Sequence, residues 1–475
     1  MTRLFAFSGR YRVLHMTWFA FFLTFVVWFS FAPFATTLGR EFGLDASQLA
    51  TIALCNVALT VPARVVIGMF LDRFGPRLVY TAVLAFGAVA SITFAASTSF
   101  SMLVISRLAL SVVGAGFVVG IRMVAEWFGP DEVGLAEGVY GGWGNAGSAV
   151  AALTLPTVGA LLGGWRWATG LAGVVAGLYA IVYVMSVRDT PDGVVYLRAR
   201  RAGALEVGDR GGVIGLIVLS VPLVGVLALV LWRLERTGVL PAALLAWGLA
   251  GLGVLFVVQV RRIVVVNRQA LAGALPPDER YPFRSVTLLS LAYAVTFGSE
   301  LAVVSMLPTF VETTWGLDPR VAGAVASAFA FVNLVARPAG GLLSDNSPSR
   351  AATIRRLLGA LAVGYFAMAA LGAWVPVVLA VVVVMACSAS VQAGEGAVFA
   401  FVPLVHRRVT GQIAGIVGAY GNIGALVYLT ALLFLGPRAF FIAIGASALA
   451  VTVACRMLSE PSASVGAAQL EPASV

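Results

Sequence analysis

Fourteen long apolar runs separated by short polar turns leave this chain few ways to fold. They lie near residues 16–38, 48–71, 78–96, 101–127, 134–163 and 167–187, then 211–232 and 239–260, then 285–310, 320–344, 352–375, 377–401, 410–435 and 438–457. A bilayer core about 30 Å thick takes roughly 20 apolar residues per helix. A spanning segment must also satisfy its own backbone, so the expected fold class is an all-α polytopic membrane protein. With 60% hydrophobic and 11% charged residues, the chain cannot cover the surface of a water-soluble domain of this size. The first run follows Arg3, Arg10 and Arg12, is too long for the core of a signal peptide, and reads as an uncleaved first helix.

All 31 basic residues are arginine. Without lysine there is no Walker A loop and no Schiff base, so ATP-driven pumping within this chain and an opsin-type function are excluded. Cys55, Cys387 and Cys455 lie far apart in apolar runs, and His15 and His406 both flank spans. Neither a disulfide framework nor a metal site is expected, and no cofactor or enzymatic chemistry follows. The net charge of +10 reads as membrane topology rather than nucleic-acid binding. With the N-terminus inside, the outside carries Arg40, Arg166, Arg233, Arg236, Arg320 and Arg438. The spans hold Arg64, Arg107 and Arg337, and the other 22 arginines fall inside. Both termini are therefore expected in the cytoplasm, with the protein in the cytoplasmic membrane.

An internal repeat organises the spans. Ala63-Arg64 through Asp72 to Arg77 aligns without gaps onto Ala336-Arg337 through Asp345 to Arg350, with Ala, Arg, Gly, Asp and Arg identical. Gly138 to Gly147, containing Asn145, aligns onto Gly415 to Gly424, containing Asn422, at nearly the same offset. One offset for two separate stretches implies a duplicated half. Each pair falls on the second and fifth spans of its half, so two six-helix bundles run parallel about an axis along the membrane normal. The expected division is 1–210 for the first bundle and its linker, 211–260 for two inserted helices, and 261–475 for a linker, the second bundle and a tail. Asp72, Arg73, Arg77 and Asp345 are expected to form gating loops.

Arg64 and Arg337 are the sharpest chemical signal. A mid-membrane arginine is costly, so it faces a cavity or a partner. Symmetry points both at the central axis, and neither local sequence offers an acidic partner. Two planar guanidinium forks suit a planar oxyanion. The alternative is that Glu300, Glu395 or a lipid headgroup neutralises them. Asn145 and Asn422 offer neutral donors beside the same axis, or one helix-to-helix hydrogen bond each. Glu300 and Glu395 are intramembrane carboxyls, read either as proton carriers or as ion-pair partners of an arginine. Arg122 and Glu126, four apart at the inner end of span four, read as a gate or an anchoring ion pair.

The motif Gly68-x-x-x-Asp72-Arg73-x-Gly75-x-Arg77 resembles the signature loop of the major facilitator superfamily, and Arg107-x6-Gly114 resembles its fourth-helix motif. Tyr140-Gly-Gly-Trp-Gly-Asn145-Ala-Gly147 and Gly418-Ala-Tyr-Gly-Asn422-Ile-Gly424 resemble the two signatures of the nitrate/nitrite porter family within it. The resemblance covers roughly 16–187 and 285–457 and leaves out the two inserted helices. It implies the major facilitator fold, with Arg64 and Arg337 clamping nitrate or nitrite. It also implies an aromatic lining from Tyr293 and Phe297 in Tyr293-Ala-Val-Thr-Phe297-Gly-Ser and from Phe117. Glu300 matches members resembling proton symporters, whereas exchangers carry an apolar residue there.

The expected function is a secondary transporter moving nitrate, nitrite or both by alternating access, through proton symport or nitrate/nitrite exchange. A monomer in the bilayer is expected, with the anion and possible coupled protons as its only small partners. Alternatives are a fourteen-span drug/proton exporter, a small-carboxylate exchanger of the same superfamily, and a channel or sensor. Exporters generally rely on acidic membrane residues, whereas the symmetric charges here are arginines.

Overall fold

A computed structural model describes residues 2–199, 203–276, 279–432 and 434–460. Arg200 and Arg201, counted above on the inside, and the tail after Glu460 lie outside the described residues. Among the described residues, fourteen helices are long and apolar enough to cross a membrane. The first half holds α1 (Gly9–Phe42), α2 (Ala46–Phe74), α3 (Pro76–Ala95), α4 (Phe100–Trp127), α5 (Val133–Leu162) and α6 (Trp165–Ser186). Next come α7 (Arg210–Arg236) and α8 (Ala242–Val266). The second half holds α9 (Phe283–Trp315), α10 (Val321–Asp345), α11 (Arg350–Ala369), α12 (Val377–Leu404), α13 (Arg407–Leu432) and α14 (Pro437–Met457). The largest deviation from the expected spans is α1. It starts at Gly9 despite Arg10 and Arg12, and continues through a 3-10 turn at Ala32–Phe34 to Phe42.

The two halves meet along two equivalent crossings, α2 with α13 and α5 with α10. Glycine sets how closely they approach. A Cβ at Gly415 would lie 2.5 Å from the Arg64 carbonyl oxygen, and one at Gly138 would lie 2.6 Å from that of Arg337. Gly68 packs in the same way on the Gly411 carbonyl, and Gly341 on that of Gly134. Small residues permit such contact in membranes, where packing rather than the hydrophobic effect joins helices.

The helices that carry Arg64 and Arg337 break at related places. Pro62 has no N–H for the Ala58 carbonyl, and the helical segment before it ends at Ala58, with Thr60–Phe74 resuming beyond Leu59. In α10 the break falls at Val332, the position equivalent to Leu59, and Asn333–Asp345 resumes beyond it. Pro338 frees the Leu334 carbonyl, which accepts a hydrogen bond from the indole Nε1 of Trp143 in the other half at 3.2 Å. Each arginine thus sits in the first turns of a half-helix.

Between the halves, α7 packs on α2, α9 and α13, while α8 touches little besides α7. Tyr420 of α13 donates to the Leu219 carbonyl at 3.1 Å, fastening α7 to the second half, and Arg233 reaches Ser47 and Thr51 of the first. An apolar crevice of about 420 Å³ remains between this hairpin and the bundles.

Filling the glycine contacts should force the crossings apart. Overpacking by even a methylene or two costs about 1–3 kcal/mol. Gly415→Val and Gly138→Val should each lower the thermal unfolding temperature of the purified protein, while Gly253→Val, at an open position on α8, should not.

Candidate functional site

The arginine-rich side of the molecule is closed by a symmetrical clasp. The Asp72 carboxylate, at the end of α2, accepts the backbone N–H groups of Gly411 and Gln412, both at 2.9 Å, in the first turn of α13. Asp345, at the end of α10, accepts those of Gly134 and Leu135 at 2.9 and 2.7 Å in the first turn of α5. Each half thus caps a helix of the other, where the helix dipole favours an anion.

Buried arginines tie the clasp together. Arg122 pairs with Glu126 at 2.8 Å, lies 4.0 Å from Asp72, and donates across the interface to the Arg407 carbonyl, while Glu126 reaches Arg407 at 3.3 Å. The segment after α6 seals it from below, with Tyr196 donating to the Leu71 carbonyl and Leu197 accepting from Arg122. Arg350 pairs with Asp345 at 2.8 Å and donates to the Pro130 carbonyl.

Of the four expected gating residues, Asp72 and Asp345 therefore form the clasp and the other two do not. Arg77 stays within its own half, giving its backbone N–H to Asp189 at 2.7 Å and its Nε to the Val184 carbonyl at 2.8 Å. Burial pushes the Asp189 carboxyl above the usual carboxylate range, against the opposing pull of Arg77. Gly75 takes a φ of +88°, and a Cβ there would strike that carboxylate, which explains the glycine in the loop motif. Arg73 is exposed over the Phe74 ring.

Above the clasp, Arg64 and Arg337 converge on one aromatic ring. Both guanidinium carbons lie 5.2 Å from the Phe117 centroid, and that of Arg64 lies 5.6 Å from Phe297. Phe117, Tyr293 and Phe297 stack in sequence with centroids 6.1 and 5.2 Å apart and nearly parallel planes. The Tyr293 hydroxyl accepts from Arg337 at 3.3 Å and also faces Arg64. Cation–π contacts with these rings help hold charge away from water.

The partners of the two arginines differ. Arg64 is spent on backbone, donating to the carbonyls of Gly418 and, at 3.4 Å, Gly114. Arg337 pairs with Glu395 at 2.6 Å, the alternative in which a distant carboxylate neutralises the arginine. Its Nε has no acceptor and faces Gly141, the counterpart of Gly418. The third intramembrane arginine, Arg107, is structural, binding the Trp28 carbonyl and the Asn56 side chain near the opposite side of the first half.

Glu300 accepts from Asn333 at 3.0 Å and from Gln392 at 3.4 Å. Its Oε2 and the Oε1 of Glu395 have no donor, and the two carboxyls face each other. Glu300 also lines a cavity of about 310 Å³ that runs from mid-membrane toward the side away from the clasp, together with Asn145 and Phe297. Asn422, expected to match Asn145, does not open to this cavity. It is fully buried, and neither of its amide atoms has a partner.

Sequence reasoning missed Asn333, Gln392 and Phe399. Asn333 lies four residues before Arg337 and Gln392 three before Glu395, spacings that share a helix face and were readable. Phe399 packs edge-on against Phe117 and Tyr293, each at 4.7 Å, and carried no such signal.

Known proteins place these features in a lineage. Residues 17–267 match the Major Facilitator Superfamily. The chain is 48% identical over 459 residues to the nitrate/nitrite transporter NrtP of Picosynechococcus sp., covering 90% of this chain and 86% of that protein. It is 45% identical over 479 residues to NrtP of Nostoc punctiforme, covering 98% and 95%. The human organic anion transporter MFSD10 (TETRAN) shares the fold, with a TM-score of 0.62 at 14% identity, covering 94% of this chain and all of that one. The chain belongs to the Major Facilitator Superfamily and, within it, to the nitrate/nitrite porter family.

A cysteine at Thr410, buried beneath the clasp, reports on its opening. Hydrogen bonds to charged groups contribute about 1.5–3 kcal/mol each. Replacing Asp72 by Asn in that background should therefore raise the rate of maleimide labelling about tenfold or more.

Proposed function

We propose that this protein carries nitrate and nitrite across the cytoplasmic membrane by alternating access, with the arginine-rich side facing the cytoplasm and one chain forming the whole pathway. The observation that carries this reading is the pair of buried guanidinium groups on one aromatic ring at the interface of the two halves. The 45–48% identity to nitrate/nitrite transporters supports it. Arg64 and Arg337 hold the anion through planar hydrogen bonds. Phe117, Tyr293 and Phe297 line it, and the free amide of Asn422 and the cavity-facing Asn145 complete its donors. The closed clasp and the cavity beyond Asn145 correspond to a state closed to the cytoplasm.

Coupling follows from the carboxyl pair. In the empty site, ionised Glu395 occupies the face of Arg337 that an anion needs. A proton arriving from the cavity at Glu300 and shared with Glu395 releases that face, so anion and proton bind together. An inside-negative potential opposes anion uptake by about 2.3 kcal/mol per 100 mV, which gives a symported proton its purpose. Nitrate/nitrite exchange is the second reading, and it leaves the carboxyl pair without a task.

Arg64→Lys and Arg337→Lys should each weaken nitrate binding about tenfold or more despite conserving charge, measured by calorimetry on purified protein. Wild-type affinity in either would contradict planar recognition. Glu300→Gln should retain nitrate/nitrite exchange in proteoliposomes and lose uptake driven by a pH gradient. Parallel loss of both activities would remove Glu300 from proton coupling.

A further inference from the structure

One intramembrane acid takes no part in the clasp, the arginine pair or the shared carboxyl proton. Glu137, on α5, is 1% exposed, and neither of its carboxylate oxygens has a hydrogen-bond donor. Every other buried acid on the pathway has at least one donor or cation: Asp72 and Asp345 two N–H groups each, Glu126 and Glu395 an arginine, Glu300 two amides. Packing does not demand the residue either, because its counterpart in the second half, at the offset of the glycine signatures, is Ala414.

Its position is defined by the helix crossing. Gly138 beside it touches the Arg337 backbone, and Gly134, one turn before it, touches Asp345. Glu137 therefore lies between the anion site and the clasp, about 12 Å along α5 from Asn145 at 1.5 Å per residue. The ionisable groups facing it are Arg337 and Asp345 on α10 and Tyr140 on its own helix, and it forms no ion pair within 4.0 Å among the described residues. A carboxylate stripped of water and of every donor is untenable there, whereas a neutral carboxylic acid is not.

We propose that Glu137 is a second proton-binding site of the transport cycle, occupied while the clasp is closed and emptied toward the cytoplasm when the clasp opens. This rests on the proton-symport reading above. Parting α5 from α10 at Gly134 and Asp345 brings water to Glu137 before it reaches Arg337, so the acid ionises as the anion is about to leave. With the proton shared by Glu300 and Glu395, two protons accompany each anion. Net positive charge then moves inward, and the membrane potential drives uptake.

The stoichiometry is read from nitrate accumulation at equilibrium in proteoliposomes, with voltage and pH gradient set independently. Two protons per anion sustain about 100-fold accumulation for one unit of pH gradient at zero voltage, and a further tenfold for each 59 mV or so, inside negative. One proton sustains about tenfold and ignores voltage. Wild type should show the first pattern, Glu137→Gln and Glu137→Met the second, and Glu137→Asp the first. A variant that is merely slow reaches the wild-type ratio, so an indirect effect on folding or rate does not imitate the result. Voltage-driven accumulation in the Gln and Met variants would overturn the inference and leave symport standing. A one-proton ratio in wild type, which requires no variant to fold, would do the same. A wild type with no proton-driven accumulation would overturn the symport reading itself.

Discussion

Everything else in the structure depends on each half capping a helix of the other. Two carboxylates accept four backbone N–H groups from across the interface, at helix ends that would otherwise be buried without partners. Hydrogen bonds of this kind are directional and short, so they hold fully or break. The glycine contacts immediately behind them have the same character, because backbone pressed on backbone leaves no compliant side chain to absorb a small displacement. A junction built this way favours two discrete arrangements over a continuous range, as alternation between two open sides requires.

The three intramembrane arginines show how one chain resolves the cost of a buried guanidinium in different ways. Arg107 is held by a carbonyl, an amide, the Ser30 hydroxyl and neighbouring rings of its own half, with its Nε left without an acceptor. Arg64 is held by the backbone of both halves. Arg337 is held by a side chain that can itself change charge, and one of its nitrogens is left without an acceptor. The pseudo-symmetry of the sequence is thus broken at Arg337, where the proposed anion site meets a titratable side chain.

The spans, their grouping and the paired arginines were legible because they are carried by hydropathy and by a repeat, both properties of the linear chain. The extension of α1 beyond residue 38 to Phe42 was not, since Arg40 and Glu41 read as a loop until Glu41 is seen bonded to Arg166 and Trp165. Glu395 was a candidate partner for either arginine, but that it meets Arg337, 58 residues away on a different helix, was not legible. Glu137 was visible in the sequence, four and eight residues before Gly141 and Asn145 on one helical face. Its type alone does not distinguish it, and only the absence of any donor around it sets it apart.

With Arg337 holding the anion as proposed, its ion pair with Glu395 also acts as a filter. A carboxylate tethered beside the guanidinium competes with every dissolved anion at a local concentration in the millimolar range or above, set by the fold rather than by the medium. Selectivity of this kind needs no steric gate, because the protein supplies a rival ligand of its own.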